Sequence, residues 1–414
     1  MVKRQLPNPS EIFELLHFKT PELNPRRRRL DAALTTWDLR KIAKRRTPAA
    51  AFDYTDGAAE GEVSLRRARQ AFRDIEFHPD ILHPAVDVDT SCEILGGRSS
   101  MPFGIAPTGF TRLMQTEGEV AGAGAAGAAG IPFTLSTLGT TSIEDVKAAN
   151  PHGRNWFQLY VMKDKGFVER LINRAKAAKC SALVITLDLQ ILGQRHKDIK
   201  NGLSSPPKPT LTNLINLATK PYWCWHMLHT KRRTFGNIVG HASGVSDTSS
   251  LSAWTSQQFD PALSWDDVAW IKDKWGGKII IKGIMEPEDA HLAVKSGADA
   301  LIVSNHGGRQ LDGALPSIEA LPAIVDAVGK DNIEIYLDSG VRSGQDVIRS
   351  VAMGARGVFI GRPFLYGLGA MGEAGVTKAL EVIRNEADLT MAFCGLRNIK
   401  DVNKSILVPG TYPT

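Results

Sequence analysis

The stretch SNHGGRQLDG (Ser304–Gly313) follows directly on the apolar run ALIV (Ala300–Val303). A run that reads as a buried strand thus ends on a histidine, two glycines and an arginine. His306 is the side-chain type best suited to act as a base near neutral pH. Arg309 presents a planar fork suited to gripping a carboxylate. Both groups fit a substrate holding a carboxylate next to a carbon that loses a proton, which describes a 2-hydroxy acid. A lone histidine at a strand end is more often structural. An arginine three residues on, and Lys282 closing the preceding apolar run in KIIIKG, turn the balance towards chemistry.

Lys282 is costly at the end of an apolar strand unless it meets negative charge. A Schiff-base lysine, a structural ion pair and a cation facing a cofactor that gains negative charge all meet that condition. Two further motifs, DSGVRSG (Asp338–Gly344) and IGRP (360–363), favour the third. Each sets glycines and an arginine where backbone N–H groups can face an anion, as a phosphate cradle requires. Flavin mononucleotide (FMN) would place its phosphate there and its ring over nearby strand ends, with Gln158 and Thr186 serving the polar edge. Asp188 can orient His306 and stabilise its imidazolium. The four cysteines show no metal-ligand spacing, so no metal site is expected.

These residues need a scaffold that brings strand ends together. From Pro102 the chain alternates short apolar runs with helix-like segments. The runs are FGIA (103–106), PFTL (132–135), WFQLY (156–160), ALVITL (182–187), KIIIK (278–282), ALIV (300–303), EIYLD (334–338) and GVFI (357–360). Eight such units, several uniformly apolar as strands buried on both faces should be, predict an α/β fold of the (β/α)8 TIM-barrel class. Chemistry in that fold sits at the C-terminal strand ends, and polar residues follow every run there, from Pro107-Thr108-Gly109 to Gly361-Arg362. A closing helix pair is expected over EAGVTKALEVIRNEADLTMAFCG. GAGAAG (122–127) matches a dinucleotide fingerprint, with Glu144 at nearly the right distance for a ribose. However, TEGEVA rather than a strand precedes it, so it reads as a small-residue helix packed on the barrel.

About ninety residues separate Asp188 from Lys278, far more than the other units need. This insertion (200–262) is expected to cover the strand ends. Its Trp223 and Trp225 beside Lys231, Arg232 and Arg233 suit a membrane interface, or packing on the barrel or a neighbouring subunit. Residues 1–34 read as a basic arm, solvated or against an anionic membrane surface, on the strength of Arg26-Arg27-Arg28-Arg29 and the nearby Lys41, Lys44, Arg45 and Arg46. The net charge of +6 is modest for 414 residues, and no aromatic-basic module accompanies it, which argues against nucleic acid. Scattered cysteines and an N-terminus without an apolar core point to a cytoplasmic protein, with peripheral contact at the inner face of the cell membrane.

The chain resembles the FMN-dependent L-2-hydroxy acid dehydrogenase and oxidase family over roughly residues 35–405, leaving 406–414 as a tail. The resemblance rests on SNHGGRQLDG, DYTDGAAE, PFGIAPTGF, WFQLYV, IKG, and DSGVRSG followed by GVFIGRPFLYGL. It implies His306 as the base, Asp188 as its partner and Arg309 as the carboxylate ligand. Tyr54, Tyr160 and Arg195 become substrate contacts. Pro107, Thr108, Gly109, Ser136, Gln158, Thr186 and Lys282 match FMN-ring contacts, while Asp338, Ser339, Gly340, Arg342, Gly361 and Arg362 match the ribityl and phosphate site. The arm and the insertion are most similar to bacterial-type L-lactate dehydrogenases. The resemblance therefore implies oxidation of L-lactate or a related acid, electrons passing to a quinone or cytochrome, and a homotetramer. An oxidase making hydrogen peroxide from O2, and a non-catalytic FMN-binding barrel, are the alternatives.

Overall fold

The structure is a computed structural model that describes residues 8, 16, 20–83, 86–203, 208–230, 235–242 and 258–413. Eight parallel strands close into a barrel: β1 (Phe103–Ile105), β2 (Phe133–Ser136), β3 (Asn155–Tyr160), β4 (Ala182–Thr186), β5 (Ile279–Ile284), β6 (Ala300–Val303), β7 (Glu334–Leu337) and β8 (Gly357–Ile360), with β8 pairing back onto β1. All eight expected strands are present, within two residues of the expected ends. The apolar runs are uniform because alternate residues bury on opposite sides of the sheet. Val184, Ile280, Ile302, Tyr336 and Phe359 fill the barrel interior, whereas Leu183, Ile279, Ile281, Leu301 and Val303 pack outward under the helices.

The barrel is plugged at one end and open at the other. Trp156, Phe359 and Tyr336 pack against one another inside, with ring centroids 5.2–6.4 Å apart. A short hairpin (Cys92–Ile94 with Gly97–Ser99) covers that end, adding Ile94 and Leu95 to the interior cluster. The Leu95 N–H donates to Glu334 at the start of β7. The C-terminal strand ends are therefore the accessible end.

Helices follow the strands with caps that the sequence supplies. Ser142, Asp164 and Ser343 each accept a backbone N–H from the first turn of the helix they precede. Thr35 does the same ahead of Thr36–Arg46, in a capping box with Asp38. GAGAAG lies inside the helix Gly118–Ala129. A Cβ on Gly122 would come within 2.7 Å of the Phe133 and Phe364 rings, so the glycine is there for close packing and not for a pyrophosphate.

Three expectations change. One continuous helix, Glu373–Phe393, replaces the expected closing pair, since nothing in EAGVTKALEVIRNEADLTMAF breaks it. Arg26–Arg29 belong to a helix, Pro25–Asp31, capped by Asn24, and Arg29 Nε lies 3.3 Å from Met371 Sδ, so this part of the arm is docked. The tail is also anchored, because Leu407 bridges to Phe77 and the Val408 N–H donates to Glu76 O. Among the described residues no helix is long and apolar enough to cross a membrane.

Candidate active site

The open end of the barrel holds a cavity of about 570 Å³. Every site residue expected from the sequence lines it except Gln158 and Asp188, which stand directly behind lining residues. At its centre His306 Nδ1 lies 2.8 Å from Asp188 Oδ1. Burial opposes charge on Asp188, yet His306 and Lys282 outweigh it and bring its carboxyl down to about 2. Asp188 is therefore anionic and fixes the imidazole with its Nδ1 as donor, leaving Nε2 as the free nitrogen.

Lys282 is almost fully buried between two carboxylates, with Nζ 3.6 Å from Asp188 and 3.5 Å from Asp338. It also donates to Ser304 Oγ at 2.8 Å, and that oxygen accepts the His306 N–H at 3.1 Å. Burial disfavours its charge, but the two carboxylates hold the ammonium above its ordinary range. The β5–β6 register shifts between Lys282 and Ile284, and Gly283 sits there at φ 109°, where a Cβ would strike Asp188 at 2.8 Å. That bulge lets the β4 and β5 ends meet closely enough for the ion pair.

SNHGGRQLDG does more than His306 and Arg309 alone suggested. His306, Gly307 and Gly308 all have left-handed backbones (φ 55°, 68° and 71°), so the chain leaves β6 in a tight curl. Gln310 Nε2 donates to Asp188 O and Ile191 O, tying the β4 loop down. Asp312 accepts the Val63 and Ser64 N–H groups at the start of the helix Val63–Asp74. A non-glycine residue at positive φ costs about 1–3 kcal/mol, and His306 and Ser339 (φ 72°) both bear it at the cavity wall. Gly307→Ala is therefore expected to lower stability by about 1–3 kcal/mol and displace His306. A Cβ there meets Arg362 Nη1 at 2.8 Å, whereas Gly313, also at positive φ, faces open space. Thermal unfolding should show a larger loss for Gly307→Ala than for Gly313→Ala; equal losses would mean the contact is irrelevant.

On the same wall Arg309 lies 4.8 Å over the Tyr54 ring and Arg195 5.8 Å over it. Arg309 also donates to Tyr54 O and Gly57 O. Arg195 pairs with Asp198 at 2.7 Å, a carboxylate that the sequence reading did not single out. Burial drives the Tyr160 hydroxyl well above its ordinary range, helped by Asp188 and Tyr54, so it stays protonated as a donor. Two guanidiniums and a phenol on one wall suit a bound carboxylate.

The neighbouring strand ends suit a ring and a phosphate. Gln158 Oε1 accepts Ser136 Oγ at 3.0 Å, but Gln158 Nε2 and Thr186 Oγ1 are buried without a partner. Such atoms are rare in a finished core and point to an absent ligand. At the β7 and β8 ends, Gly340, Val341, Arg342 and Gly361 surround the N-terminus of the helix Arg362–Met371. Arg342 Nε is likewise buried and unpartnered. Arg362 departs from expectation: its guanidinium donates to Thr55 O, Gly307 O and Gly57 O. Burial, then Arg342, brings it down to about 9. It staples the helix Ala49–Asp56 to the His306 curl, and its place at the helix N-terminus is what faces the cavity. This arrangement fits FMN. Among the described residues no cluster of three metal-ligating side chains occurs.

The insertion supplies the rim. Leu203, Met227, Phe235 and Phe259 line the cavity, and Phe235 packs edge-on against Phe110, which does the same to Tyr54. Trp223 packs onto the barrel, donating to Leu113 O at 2.9 Å, whereas Trp225 is exposed. Lys231, Arg232 and Arg233 lie outside the described residues.

The comparisons with known proteins agree with this geometry. The model of the FMN-dependent dehydrogenase family matches residues 43–409. An L-lactate dehydrogenase of Caulobacter vibrioides is 44% identical over 379 residues, covering 90% of this chain and 97% of its own. One of Ectopseudomonas mendocina is 44% identical over 372 residues, with the same coverage. Among solved structures, the monotopic membrane protein (S)-mandelate dehydrogenase superposes with a TM-score of 0.87 at 34% identity, over 91% of this chain and 99% of that one. A mandelate oxidase gives 0.77 at 35% identity, over 91% and 98%. The protein belongs to the FMN-dependent dehydrogenase family.

Proposed function

We propose that this enzyme oxidises an L-2-hydroxy acid, L-lactate foremost, to the 2-oxo acid and passes the electrons to a membrane quinone. The observation that carries the reaction is the Asp188–His306 pair set beside Arg309 on one wall of the cavity. Arg309, with Arg195, Tyr54 and Tyr160, grips the substrate carboxylate and turns the hydroxyl-bearing carbon towards His306. His306 takes a proton at Nε2, from either the carbon or the hydroxyl, and Asp188 stabilises the imidazolium that results. Pro107, Thr108, Gly109, Ser136, Gln158 and Thr186 would hold the FMN ring, and Asp338, Ser339, Gly340, Arg342, Gly361 and Arg362 its ribityl and phosphate. FMN, when bound, supplies the two-electron acceptor. Lys282 offsets the negative charge that oxidation delivers to this wall. Residues 35–405 act as one catalytic domain in this proposal, and the chain works as a homotetramer, which its mass in solution checks.

L-Lactate is favoured because relatives at 44% identity carry that name, while the neighbours at 34–35% are named for mandelate. The quinone is favoured by the rim. Leu211, Leu214, Ile215, Trp225 and Leu228 of two insertion helices, Leu211–Ala218 and Pro221–His229, are exposed, and Met227 of the second helix lines the cavity. Such a face suits contact with a lipid surface, at the inner side of the cell membrane for a cytoplasmic protein. Anaerobic flavin bleaching by L-lactate, glycolate and (S)-mandelate ranks the substrates, with L-lactate expected fastest. Turnover is expected with a soluble quinone analogue and little hydrogen peroxide at saturating oxygen. Stoichiometric peroxide would assign an oxidase instead, and no bleaching by any acid would leave a non-catalytic FMN barrel.

A further inference from the structure

A second cavity, of about 370 Å³, shares no lining residue with the first. It lies between the helix Pro25–Asp31, the end of Thr36–Arg46, the turn at 114–117, the insertion helix Pro221–His229 and the C-terminal end of the helix Arg362–Met371 with its cap Gly372. Arg26, Arg29 and Arg46 all line it, and among the described residues none of them has a carboxylate in an ion pair. Glu117 is the one carboxylate on its wall among those residues, and it is engaged by the Glu373 N–H and Gln115 Nε2. Burial, then the Arg29 and Arg26 guanidiniums, lower Arg46 below its ordinary range. Three like charges around one hollow are mutually destabilising, and an anion between them relieves that.

The remaining walls describe the rest of the ligand. The Arg46 guanidinium stacks 4.6 Å over the Tyr222 ring, and His226 packs on the same ring at 4.2 Å. Trp223 closes the side towards the active site, its indole held by Leu113 O. Arginines with aromatic faces suit a phosphate ester that carries an organic portion, more than a bare ion. The helix that provides Tyr222, Trp223 and His226 to the cavity turns Trp225 and Leu228 outward to solvent. One helix thus carries both the anion pocket and part of the exposed apolar face, so an anion held here would sit at the level of that face.

We infer that this cavity is a headgroup site for an anionic phospholipid, with the phosphate between Arg29 and Arg46, Arg26 at the rim, and the glycerol portion against Tyr222 and Trp223. The lipid as source of the phosphate rests on the membrane reading above; the anion site does not. Juxtamembrane basic residues contribute about 1 kcal/mol each at an anionic surface, so losing two predicts a drop of about thirtyfold.

The test floats the holoenzyme with vesicles of phosphatidylcholine alone or mixed with phosphatidylglycerol. Wild type is expected to favour the mixed vesicles. Arg29→Gln/Arg46→Gln should lose about thirtyfold on mixed vesicles only, with flavin-linked turnover unchanged as the check on folding. Arg29→Lys/Arg46→Lys should keep much of the preference. Wild-type binding by the glutamine variant would overturn the site while leaving the membrane reading intact. If wild type binds neither kind of vesicle, the membrane reading fails, and glycerol phosphate in thermal unfolding decides. A stabilisation that the glutamine variant loses would support an anion site fed by soluble phosphate esters, and none in wild type would overturn it.

Discussion

Replacing His306 with alanine is expected to slow anaerobic flavin reduction by L-lactate by about a hundred- to ten-thousandfold, with flavin content unchanged. No other imidazole lines the cavity among the described residues, so no neighbour can take over the proton. Arg309, Arg195 and Tyr54 stay in place on the same wall, so the affinity for a non-reacting carboxylate such as oxalate should survive. That split separates loss of a base from loss of a binding site. Asp188→Asn should approach the same loss for a different reason. The amide cannot stabilise an imidazolium, and its NH2 face would reverse which ring nitrogen carries the proton. Flavin bleaching in His306→Ala near the wild-type rate would show that the base lies elsewhere.

The barrel was legible because parallel strands covered on both faces must be apolar throughout, and runs such as ALVIT and KIII satisfy that without ambiguity. The chemistry was legible because a closed barrel brings every strand end to one rim, so residues far apart in sequence could be assembled on paper. Contacts between side chains were not legible. Ser304 reads as an ordinary strand-end polar residue until its hydroxyl is seen joining Lys282 to the His306 backbone. Asp198 gives no signal apart from its spacing of three from Arg195. Arg362 carries the right residue type at the right strand end, yet it spends its guanidinium on three carbonyls, a choice set by where the helix Ala49–Asp56 packs. The insertion was the least legible part. Trp223 and Trp225 are two residues apart, and only the helical turn between them decides that one faces the barrel and the other faces solvent.

Lys282→Met should cost both rate and stability, and the pH dependence of the stability loss identifies its cause. The variant keeps the length and volume of the side chain but leaves Asp188 and Asp338 facing each other without the ammonium that lies 3.6 and 3.5 Å from them. Removing one partner from a buried charge cluster costs about 3–5 kcal/mol. In the wild type Asp188 sits at about 2, against 3.8 for an unperturbed aspartate. Its contribution, about 2 kcal/mol, is therefore complete above pH 3.8 and disappears as the pH falls through about 2. Lys282 is raised above 10.5, so its contribution is complete below that pH and is lost as the pH rises through the higher folded value. Without the lysine, the burial that already opposes charge on Asp188 is less fully offset, so its carboxyl moves upward and protonation in acid relieves it. The stability gap between wild type and Lys282→Met should thus be widest from neutral pH to about 10, narrowing in acid as the variant's carboxyl protonates and in alkali as the wild-type lysine loses its proton. Denaturant unfolding across that range measures it directly. A gap of constant size from acid to neutral pH would mean that packing, and not charge, holds Lys282 in place. Flavin reduction by L-lactate should fall about a hundredfold as well, since a fixed positive charge at the cofactor wall is removed. A rate loss without a stability loss would assign Lys282 to the reaction alone, and the reverse would assign it to the ion triad alone.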